Sequence, residues 1–549
     1  MLRKNDEVTV QVERFGGEMG IAHLEGQTLF VQGALPGETV VARAQKVEKT
    51  HAFLKTLRIL TPSPDRVEPP CPYYEKCGGC VCQHMTYAAS LTMKRERVRD
   101  ALSRIGGLQV EVKPVLGMER PWRYRNKTAL PVGGEKGRPQ IGFFAPRSHR
   151  IIDVEGCLIA KEESDAVAAV LRRWMEKFQV EPYQESTRTG LIRHIMSRVS
   201  RAGQVMAVVV AAANTLPHER ELIAMLRAGV PGLASLYLNV NHRGDNVILG
   251  QENRLLFGSA RLEDTLCGLR YALSPQSFFQ VNPIQTEKLY ETALNFAQLT
   301  GSELVADLYC GAGTISLLLA RRARQVIGIE IVPQAIRDAE ENARVNGVSN
   351  VQFHAAAAEE LLPRLVEQGL RPDVVVLDPP RKGSEEAVLR AIVQASPRRI
   401  VYVSCDPATL ARDAKLLCAA GFRPDACQPV DMFCQTGHVE TVLALSKGEI
   451  SSKSIRVEFP LEDMDMSCIL NDATYKQIQD YVLEHTGYKV SCLYIAQVKA
   501  KHGLIERECY NKAKSVNAKV PQCPPEKEKA IEEALQYYQM LNNSKEVGI

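Results

Sequence analysis

The sequence lacks any long apolar run. No stretch reaches the ~18 apolar residues that a membrane-spanning helix needs, and the first residues, Met-Leu-Arg-Lys-Asn-Asp-Glu, lack the apolar segment of a signal peptide. These absences argue against a membrane protein and against a secreted one. We therefore expect a cytoplasmic protein that has no membrane partner.

The sequence also lacks a strong net charge and the cysteine spacing of a secreted disulfide scaffold. Lys and Arg number 68 and Asp and Glu 64, so the net charge of +4 permits nucleic-acid binding without arguing for it. Its 15 cysteines are expected to be core residues, metal ligands or catalysts in a reducing compartment. A chain of 549 residues predicts three or four domains.

One cysteine stands where a buried strand is expected to end. The β-branched run 400–403 leads to Cys405, and Asp406-Pro407 then suits the start of a helix. The thiol would lie at the carboxyl end of a strand, where open α/β sheets bind ligands. A helix amino terminus beside Cys405 would lower the pKa of its thiol. The alternative is an ordinary buried core cysteine.

Three more stretches predict a nucleotide-binding type of α/β domain around this cysteine. Residues 304–314 indicate a strand that runs into a Gly-x-Gly turn, where Gly311 and Gly313 would let the backbone approach a ligand. Glu330 ends the next strand, at a spacing where an acid can accept hydrogen bonds from ribose hydroxyls. Residues 374–382 are a further apolar strand followed by Asp-Pro-Pro-Arg-Lys.

The amino-terminal residues 1–60 are rich in strand formers interrupted by glycine, which predicts a small closed β-barrel. Such barrels often bind nucleic acid, and a purely structural barrel is the alternative. Residues 62–70, Pro-Ser-Pro-Asp-Arg-Val-Glu-Pro-Pro, have the composition of a linker.

Four cysteines follow this linker in the pattern Cys71-x5-Cys77-Gly-Gly-Cys80-Val-Cys82. The pattern predicts a metal or iron–sulfur site, with Cys71, Cys77 and Cys80 as three ligands. A reactive dithiol pair and a chance grouping are the alternatives. The fourth ligand is Cys82 or a distant cysteine. Because Cys80 and Cys82 are very close for two corners of a cube, a distant one is favoured, and Cys157 is the nearest remaining candidate.

The central part of the chain contains two basic segments. A helix is predicted over 87–105, and its cations form either a solvated face or an RNA contact. Those cations are Lys94, Arg95, Arg97 and Arg99. Residues 122–127, Trp-Arg-Tyr-Arg-Asn-Lys, suit stacked bases and phosphates, or form an ordinary half-buried strand. Residues 162–250 indicate an α/β region.

The character of the sequence changes after residue 447. Helices are predicted over 471–485 and 525–541, with a lysine-rich stretch between 499 and 519. An RNA-contacting appendix and a small packing domain are equally compatible with this composition. The cysteines here have no ligand spacing. They are Cys468, Cys492, Cys509 and Cys523.

Six motifs, in this order, resemble the RNA uracil-5-methyltransferase family. They are the Cys71/Cys77/Cys80 cluster, Phe278-Phe-Gln280-Val-Asn, Asp307-Leu-Tyr-Cys-Gly-Ala-Gly-Thr, Asp378-Pro-Pro-Arg-Lys-Gly, Ser404-Cys405-Asp-Pro-Ala-Thr-Leu and His438-Val-Glu440-Thr. The resemblance covers roughly residues 1–447. Within this family, the sequence is similar to the 23S ribosomal RNA branch. In that branch the amino-terminal barrel is a TRAM domain, and the 4Fe–4S cluster takes a late fourth cysteine, at the position of Cys157.

We expect a fold of the α/β class in four parts, of which the resemblance implies the first three. They are a TRAM-like β-barrel (1–60), a central α/β domain with an iron–sulfur cluster and an RNA-binding surface (61–265), a Rossmann-like S-adenosylmethionine-dependent methyltransferase domain (266–447) and a mainly helical accessory domain of unknown role (448–549).

The resemblance also implies the chemistry. Uracil C5 is a poor nucleophile, so a thiolate first adds at C6, and a base removes the C5 proton after methyl transfer. Cys405 would be the nucleophile and Glu440 the base, while His438 would shape the loop. Contacts with S-adenosylmethionine are expected from Gln280, Tyr309, Glu330 and Asp378, beside Gly311 and Gly313. Arg125 and Lys127 are candidates for holding RNA.

The implied function is 5-methyluridine formation in 23S ribosomal RNA by a monomer. The alternatives are the same reaction on the T-loop of transfer RNA, a non-catalytic RNA-binding assembly factor, and an iron–sulfur redox protein. Two positions depart from the family pattern. Ala357 replaces a polar residue near the adenine, and Cys434 and Gln435 replace Pro and His in the loop before Glu440, which leaves the rigidity of that loop open.

Overall fold

The computed structural model describes residues 2–447, 475–502 and 523–537. The chain divides into two compact units, Met1–Ser451 and Ser452–Ile549. Within the described residues, no helix is long and apolar enough to cross a membrane.

The first 61 residues form one six-stranded sheet, in the order β1-β5-β6-β4-β3-β2. Its strands are β1 (Glu7–Gln11), β2 (Arg14–Gly16), β3 (Met19–Leu24), β4 (Gln27–Gln32), β5 (Thr39–Val47) and β6 (His51–Thr61). Alternate residues such as Ala22, Leu29 and Leu54 are buried and make its core. The expected short strands are confirmed, whereas the closed barrel stays a prediction.

The linker leads to helix α1 (Tyr87–Asp100), which continues as a π-helical segment, Ala101–Ile105. Its first turn is capped because the Thr86 hydroxyl accepts a hydrogen bond from the backbone N–H of Ala89 at 3.3 Å. The helix predicted over 87–105 is therefore confirmed.

The basic residues of α1 do not form one solvated face. Lys94 is fully buried and pairs with Asp431, and Arg97 Nη1 donates to the carbonyl of Gly437 at 2.7 Å. Arg99, with 63% of its side chain exposed, does face solvent. The interpretation as a solvated face is wrong for Lys94, and α1 is instead attached to the loop that precedes Glu440.

The middle of the chain forms a seven-stranded sheet in the order β13-β12-β11-β10-β7-β8-β9. Its elements are β7 (Lys127–Glu135), β8 (Arg138–Phe144), β9 (Ile151–Asp153), α2 (Glu162–Lys177), β10 (Ile192–Val199), β11 (Val205–Ala211), α3 (Glu219–Gly229), β12 (Leu233–Val240) and β13 (Glu252–Gly258). Helix α2 packs its apolar side, including Leu171 and Trp174, against this sheet. The α/β middle region is confirmed.

A hairpin and a second seven-stranded sheet follow. The elements are β14 (Leu262–Leu266), β15 (Leu269–Leu273), α4 (Pro283–Ala297), β16 (Leu304–Leu308), α5 (Thr314–Ala320), β17 (Gln325–Glu330), α6 (Pro333–Val345), β18 (Val351–Ala355), α7 (Ala358–Glu367), β19 (Val374–Leu377), α8 (Glu386–Ala395), β20 (Arg399–Ser404), α9 (Pro407–Ala419), β21 (Phe422–Val430) and β22 (Glu440–Lys447).

This sheet has the order β18-β17-β16-β19-β20-β22-β21, and its first five strands are parallel. From β16 the chain continues to β17 and β18 on one side of β16, and it then crosses to the other side of β16 as β19. This reversal of strand order makes a crevice at the carboxyl ends of β16 and β19. The central strands β16, β19 and β20 are buried on both faces, as their apolar runs predict, whereas the edge strand β18 has no buried residue.

The second unit contributes three described helices, α10 (Tyr475–Thr486), α11 (Cys492–Lys501) and α12 (Pro525–Tyr537). They share a core that includes Ile478, Ile495 and Ile531. The helices predicted over 471–485 and 525–541 are confirmed where the structure describes them. Cys468 and Cys509 lie outside the described residues, and the RNA-contacting appendix stays a prediction.

Candidate active site

Cys405 lies directly after β20, between the end of the strand and the first turn of α9. The Asp406 side chain caps that helix by accepting from the backbone N–H groups of Ala408 and Thr409, at 2.8 and 3.1 Å. Pro407 is the first residue of α9, where its missing N–H costs nothing. The local sequence therefore fixes the thiol at the carboxyl edge of the sheet.

A cavity of about 1030 Å³ opens at this edge. Eight of the residues singled out from the sequence line it, namely Gln280, Tyr309, Gly311, Glu330, Asp378, Cys405, His438 and Glu440. Gly313 is not at its wall and caps α5 instead, with φ of +76°. One cavity therefore holds a thiol, the carboxyl groups of Asp378 and Glu440 and a glycine turn.

The electrostatic surroundings of Cys405 differ from the expectation of a lowered pKa. Burial raises the pKa of the thiol to about 11, and the nearby carboxylates of Glu440 and Asp378 add to that rise. The Arg381 guanidinium acts in the opposite direction. The helix amino terminus thus does not outweigh burial, and the expected lowering is wrong for the protein without its substrates.

Glu440 is buried and Asp378 is half-buried, and the two carboxyl groups affect each other. Burial raises the pKa of each carboxyl group, and the charge of Asp378 raises the pKa of Glu440 further. Arg381 partly counters this rise at Glu440. A carboxylate with a raised pKa is a better proton acceptor near neutral pH, which suits a general base.

The glycine turn and the acid of the next strand hold each other. The Glu330 carboxylate accepts from the N–H of Gly311 at 3.3 Å and from the N–H of Val332 at 2.9 Å. Tyr309 has a φ of +64°, and its hydroxyl lies 3.2 Å from that of Ser384. This arrangement leaves the Glu330 carboxylate at the cavity wall, where it can accept from ribose hydroxyls.

The loop before Glu440 is tied to distant parts of the chain. The carbonyl of Gln435 accepts from the backbone N–H groups of Val81 and Cys82, at 2.9 and 3.1 Å. The Tyr124 hydroxyl donates to the carbonyl of Cys434 at 2.9 Å, and the Cys434 side chain is fully buried. The residues that depart from the family pattern are therefore held by hydrogen bonds from outside the loop.

Two cavity residues had no role in the sequence interpretation. Arg381 supplies the positive charge that acts on Cys405 and Glu440, and Phe278 is 70% exposed at the cavity wall. Both stand inside motifs already recognised, Asp378-Pro-Pro-Arg and Phe278-Phe-Gln280. The sequence offered one signal for each: Arg381 is a cation in the same motif as the expected cofactor contact Asp378, and Phe278 is an aromatic residue just before the expected contact Gln280.

Comparison with known proteins identifies the family to which this chain is related. A family model described as tRNA (uracil-5-)-methyltransferase matches residues 240–448. A protein of Clostridium tetani named an uncharacterized RNA methyltransferase is 49% identical over 448 residues, which are 81% of this chain and 97% of that protein. A protein of Halalkalibacterium halodurans with the same kind of name is 46% identical and covers 81% of this chain and 98% of its own length.

The chain belongs to the RNA uracil-5-methyltransferase family. It is also similar to a solved structure, that of the Pyrococcus abyssi tRNA (uracil-54, C5)-methyltransferase in complex with S-adenosyl-L-homocysteine. The two are 26% identical with a TM-score of 0.65, over 80% of this chain and 100% of that one. Membership of the RNA uracil-5-methyltransferase family makes RNA the kind of substrate and S-adenosylmethionine the methyl donor.

The four cysteines that we expect to bind an iron–sulfur cluster lie near one another. They are Cys71, Cys77, Cys80 and Cys157. Burial raises the pKa of Cys80 to about 12, and the charges of Cys157, Cys77 and Cys71 raise it further. Cys82 is instead 1% exposed, in an apolar group with Phe15. No three His, Cys, Asp or Glu side chains of the described chain are arranged to hold a metal ion, so the 4Fe–4S cluster stays a prediction.

Arg125 and Lys127, which we expect to hold RNA, do not line the cavity. Both are half-buried, and Arg125 Nε donates to the carbonyl of Lys127 at 3.1 Å. Burial lowers the pKa of Lys127 to about 8, and the charges of Arg198 and Arg125 lower it further. Between them, Asn126 Nδ2 donates to the carbonyl of Gln280 at 3.3 Å. Their contact with RNA stays a prediction.

Proposed function

We propose that this protein methylates C5 of uridine in 23S ribosomal RNA through a covalent adduct with Cys405. The observation that carries the proposal is that Cys405, Glu440 and the Gly311–Glu330 turn share one cavity. This is the set of groups that the reaction needs, namely a nucleophile, a base and a place for the methyl donor.

In the proposed reaction, the Cys405 thiolate adds to C6 of the uracil, which makes C5 an enolate carbon. C5 then takes the methyl group from the sulfonium of S-adenosylmethionine, and S-adenosylhomocysteine is left. The Glu440 carboxylate removes the remaining C5 proton, and the C6–S bond breaks to release the thiolate. Because the target base has to reach the thiol, it leaves its stack.

The decisive experiment compares two substitutions on purified RNA. Cys405→Ala should abolish methylation, because no group is left to activate C5. Glu440→Gln should accumulate a covalent protein–RNA adduct, seen as a denaturation-resistant band, because the C5 proton is retained. Full turnover by Cys405→Ala would end this mechanism.

The choice of ribosomal RNA is supported by the cysteine pattern at residues 71–80 together with Cys157, which resembles that of the ribosomal branch. In our proposal these four residues hold a 4Fe–4S cluster as thiolates. The cluster would supply a structural clamp on the segment that carries Cys80. Anaerobically purified protein should show iron–sulfur absorption that Cys157→Ser loses and Cys82→Ser keeps.

Transfer RNA is the second candidate substrate. It is favoured by the description of the matching family model and by the substrate of the structurally similar Pyrococcus abyssi enzyme. Methyl transfer to purified 23S ribosomal RNA and to T-loop transfer RNA, measured side by side, separates the two. We further propose a monomer. We also propose that it is cytoplasmic, because its free cysteines suit a reducing compartment.

A further inference from the structure

Residues 378–385 form the cavity loop, which joins β19 to α8. All of them except Gly383 and Ser384 line the cavity that contains Cys405. Gly383 has a φ of +80°, and its N–H donates to the carbonyl of Pro380 at 2.8 Å, which closes a tight turn. The cavity loop is therefore a turn with one side in the cavity wall.

Arg412 and Asp413, two adjacent residues of α9, hold this turn from outside the cavity, whose wall includes neither of them. Asp413 Oδ2 accepts from the backbone N–H of Ser384 at 2.8 Å, and Oδ1 accepts from Arg412 Nε at 2.8 Å. Arg412 Nη2 also donates to the carbonyls of Lys382 and Ser384, at 3.0 and 3.4 Å. A further donor to Asp413 is the Tyr402 hydroxyl at 2.6 Å.

Burial makes this attachment of the cavity loop specific. Asp413 has no exposed surface, whereas 51% of the Arg412 side chain is exposed. A buried carboxylate requires donors around it, so Asp413 depends on both the loop N–H and the guanidinium. At Gly383, a Cβ would lie 2.5 Å from Arg412 Nη2 and 2.7 Å from Asp413 Oδ2. The missing side chain of Gly383 therefore lets the two residues approach the loop closely.

Arg381 depends on the backbone of the cavity loop for its position. Its side chain is exposed, and within the described chain its guanidinium donates no hydrogen bond to another residue. Cys405 is close to the carboxylates of Glu440 and Asp378, and Arg381 is the cation that opposes their effect on the thiol. Because no partner holds the Arg381 side chain, the loop backbone determines whether this cation reaches Cys405.

We propose that Arg412 and Asp413 are positioning residues for the methyl transfer, because they fix the backbone that places Arg381 beside Cys405. Neither lines the cavity, so both act through Arg381. Helix α9 begins just after Cys405 and carries Asp413 roughly 9 Å further along, so one helix places both the thiol and the cation. The value of this placement for catalysis rests on the proposed function, whereas the placement itself does not.

The test measures the electrostatic potential at Cys405 without RNA and without turnover. Iodoacetate and iodoacetamide both alkylate a thiolate and are similar in size, but only iodoacetate is an anion. The ratio of their rates at Cys405, followed by mass spectrometry of its peptide at low salt, therefore reports local charge and not thiol pKa or access. Arg412→Met should lower this ratio at least about threefold, as should Arg381→Met, because the cation no longer lies beside the thiol.

The double variant Arg381→Met/Arg412→Met shows whether Arg412 acts through Arg381. Its ratio should equal that of Arg381→Met within about twofold, because the two effects are then not additive. Arg412→Lys keeps the charge but not the planar fork of donors, so it should also lower the ratio. Arg390→Met is the matched control, because Arg390 is an exposed arginine that pairs with Glu386 on α8. Its ratio should equal that of the wild type.

Tyr402→Phe separates a loss of stability from a release of the cavity loop. It removes one hydrogen bond from Asp413 but leaves both contacts between Arg412 and the loop, so the ratio should stay within about twofold of the wild type. An unchanged ratio for folded Arg412→Met would overturn the inference. A further fall in the double variant would overturn it as well, because Arg412 would then act on the thiol by its own charge. Absence of methylation by the wild type would contradict the proposed function alone.

Discussion

Lys94 and Asp431 form an ion pair in which neither side chain has any exposed surface. Lys94 comes from α1, and Asp431 begins the loop that leads to Glu440. The other Asp431 oxygen accepts from the Tyr87 hydroxyl at 2.6 Å, and Lys94 Nζ also donates to the carbonyl of Phe433 at 3.0 Å. The loop that leads to Glu440, the general base in our proposal, is therefore positioned by a charge pair that joins two distant parts of the chain.

Removing one partner of that pair should be costly. Lys94→Met leaves the Asp431 carboxylate buried without its cation, which typically costs about 3–5 kcal/mol. We expect the midpoint of urea unfolding to fall sharply and the methylation rate to fall with it. Arg99→Met, on the exposed side of the same helix, should change the free energy of unfolding by less than about 0.5 kcal/mol. Equal effects of the two substitutions would show that the pair does not support the loop.

Arg381 should set the pH dependence of methylation. In the proposed reaction Cys405 and Glu440 both react in their deprotonated forms. Burial raises the pKa of each, so the rate should increase with pH through the neutral range. Arg381→Met removes the cation that opposes these rises, so the profile of kcat/KM should move to higher pH. At fixed neutral pH, each unit of that movement costs about tenfold in rate.

Lys382→Met is the control for Arg381, because Lys382 also lines the cavity but pairs with Glu385. Its pH profile should coincide with that of the wild type. A profile for Arg381→Met that does not move, with only its height lowered, would mean that Arg381 contacts a substrate and does not tune the thiol.

Burial of Glu440 should also make stability depend on pH. Its folded pKa lies above the unfolded one, so the folded state binds the proton more tightly. The corresponding stabilisation is fully present below the unfolded pKa and is lost as pH rises through the folded pKa. Glu440→Gln should therefore gain stability over the wild type as pH rises from 5 to about 8.5. Urea unfolding at both pH values measures this, with the exposed Glu367→Gln as the control that should show no such gain.

The limits of sequence interpretation can be traced to particular residues. The strand, thiol and helix start at Cys405 could be predicted because all three signals are adjacent in the sequence. The burial of Lys94 could not, since its partner is 337 positions away and a lysine on a helix usually indicates solvent. The predicted lowering of the pKa of the Cys405 thiol was wrong for the same reason. The helix end was visible locally, whereas the carboxylates of Asp378 and Glu440 reach the thiol only through the fold.

Substitution by alanine should have different effects at the two glycines of the Gly311–Gly313 turn. Both have positive φ, so either substitution carries backbone strain of roughly 1–2 kcal/mol. At Gly313 a Cβ would also lie 2.9 Å from Phe353 Cζ, so Gly313→Ala should lose the most thermal stability. At Gly311 no atom lies within 4 Å, and a methyl group there would enter the cavity. Gly311→Ala should therefore weaken S-adenosylhomocysteine binding, measured by calorimetry, more than it lowers Tm.

Gly347 supplies the control for this pair, because it has a φ of +64°, no neighbouring atom within 4 Å and no place in the cavity wall. Gly347→Ala should lower Tm about as much as Gly311→Ala and leave S-adenosylhomocysteine binding unchanged. If Gly311→Ala and Gly347→Ala bind S-adenosylhomocysteine equally well, the turn at Gly311 does not face the methyl donor. The methyl donor would then have to lie elsewhere in the cavity, away from Glu330, because the N–H of Gly311 is hydrogen-bonded to the Glu330 carboxylate.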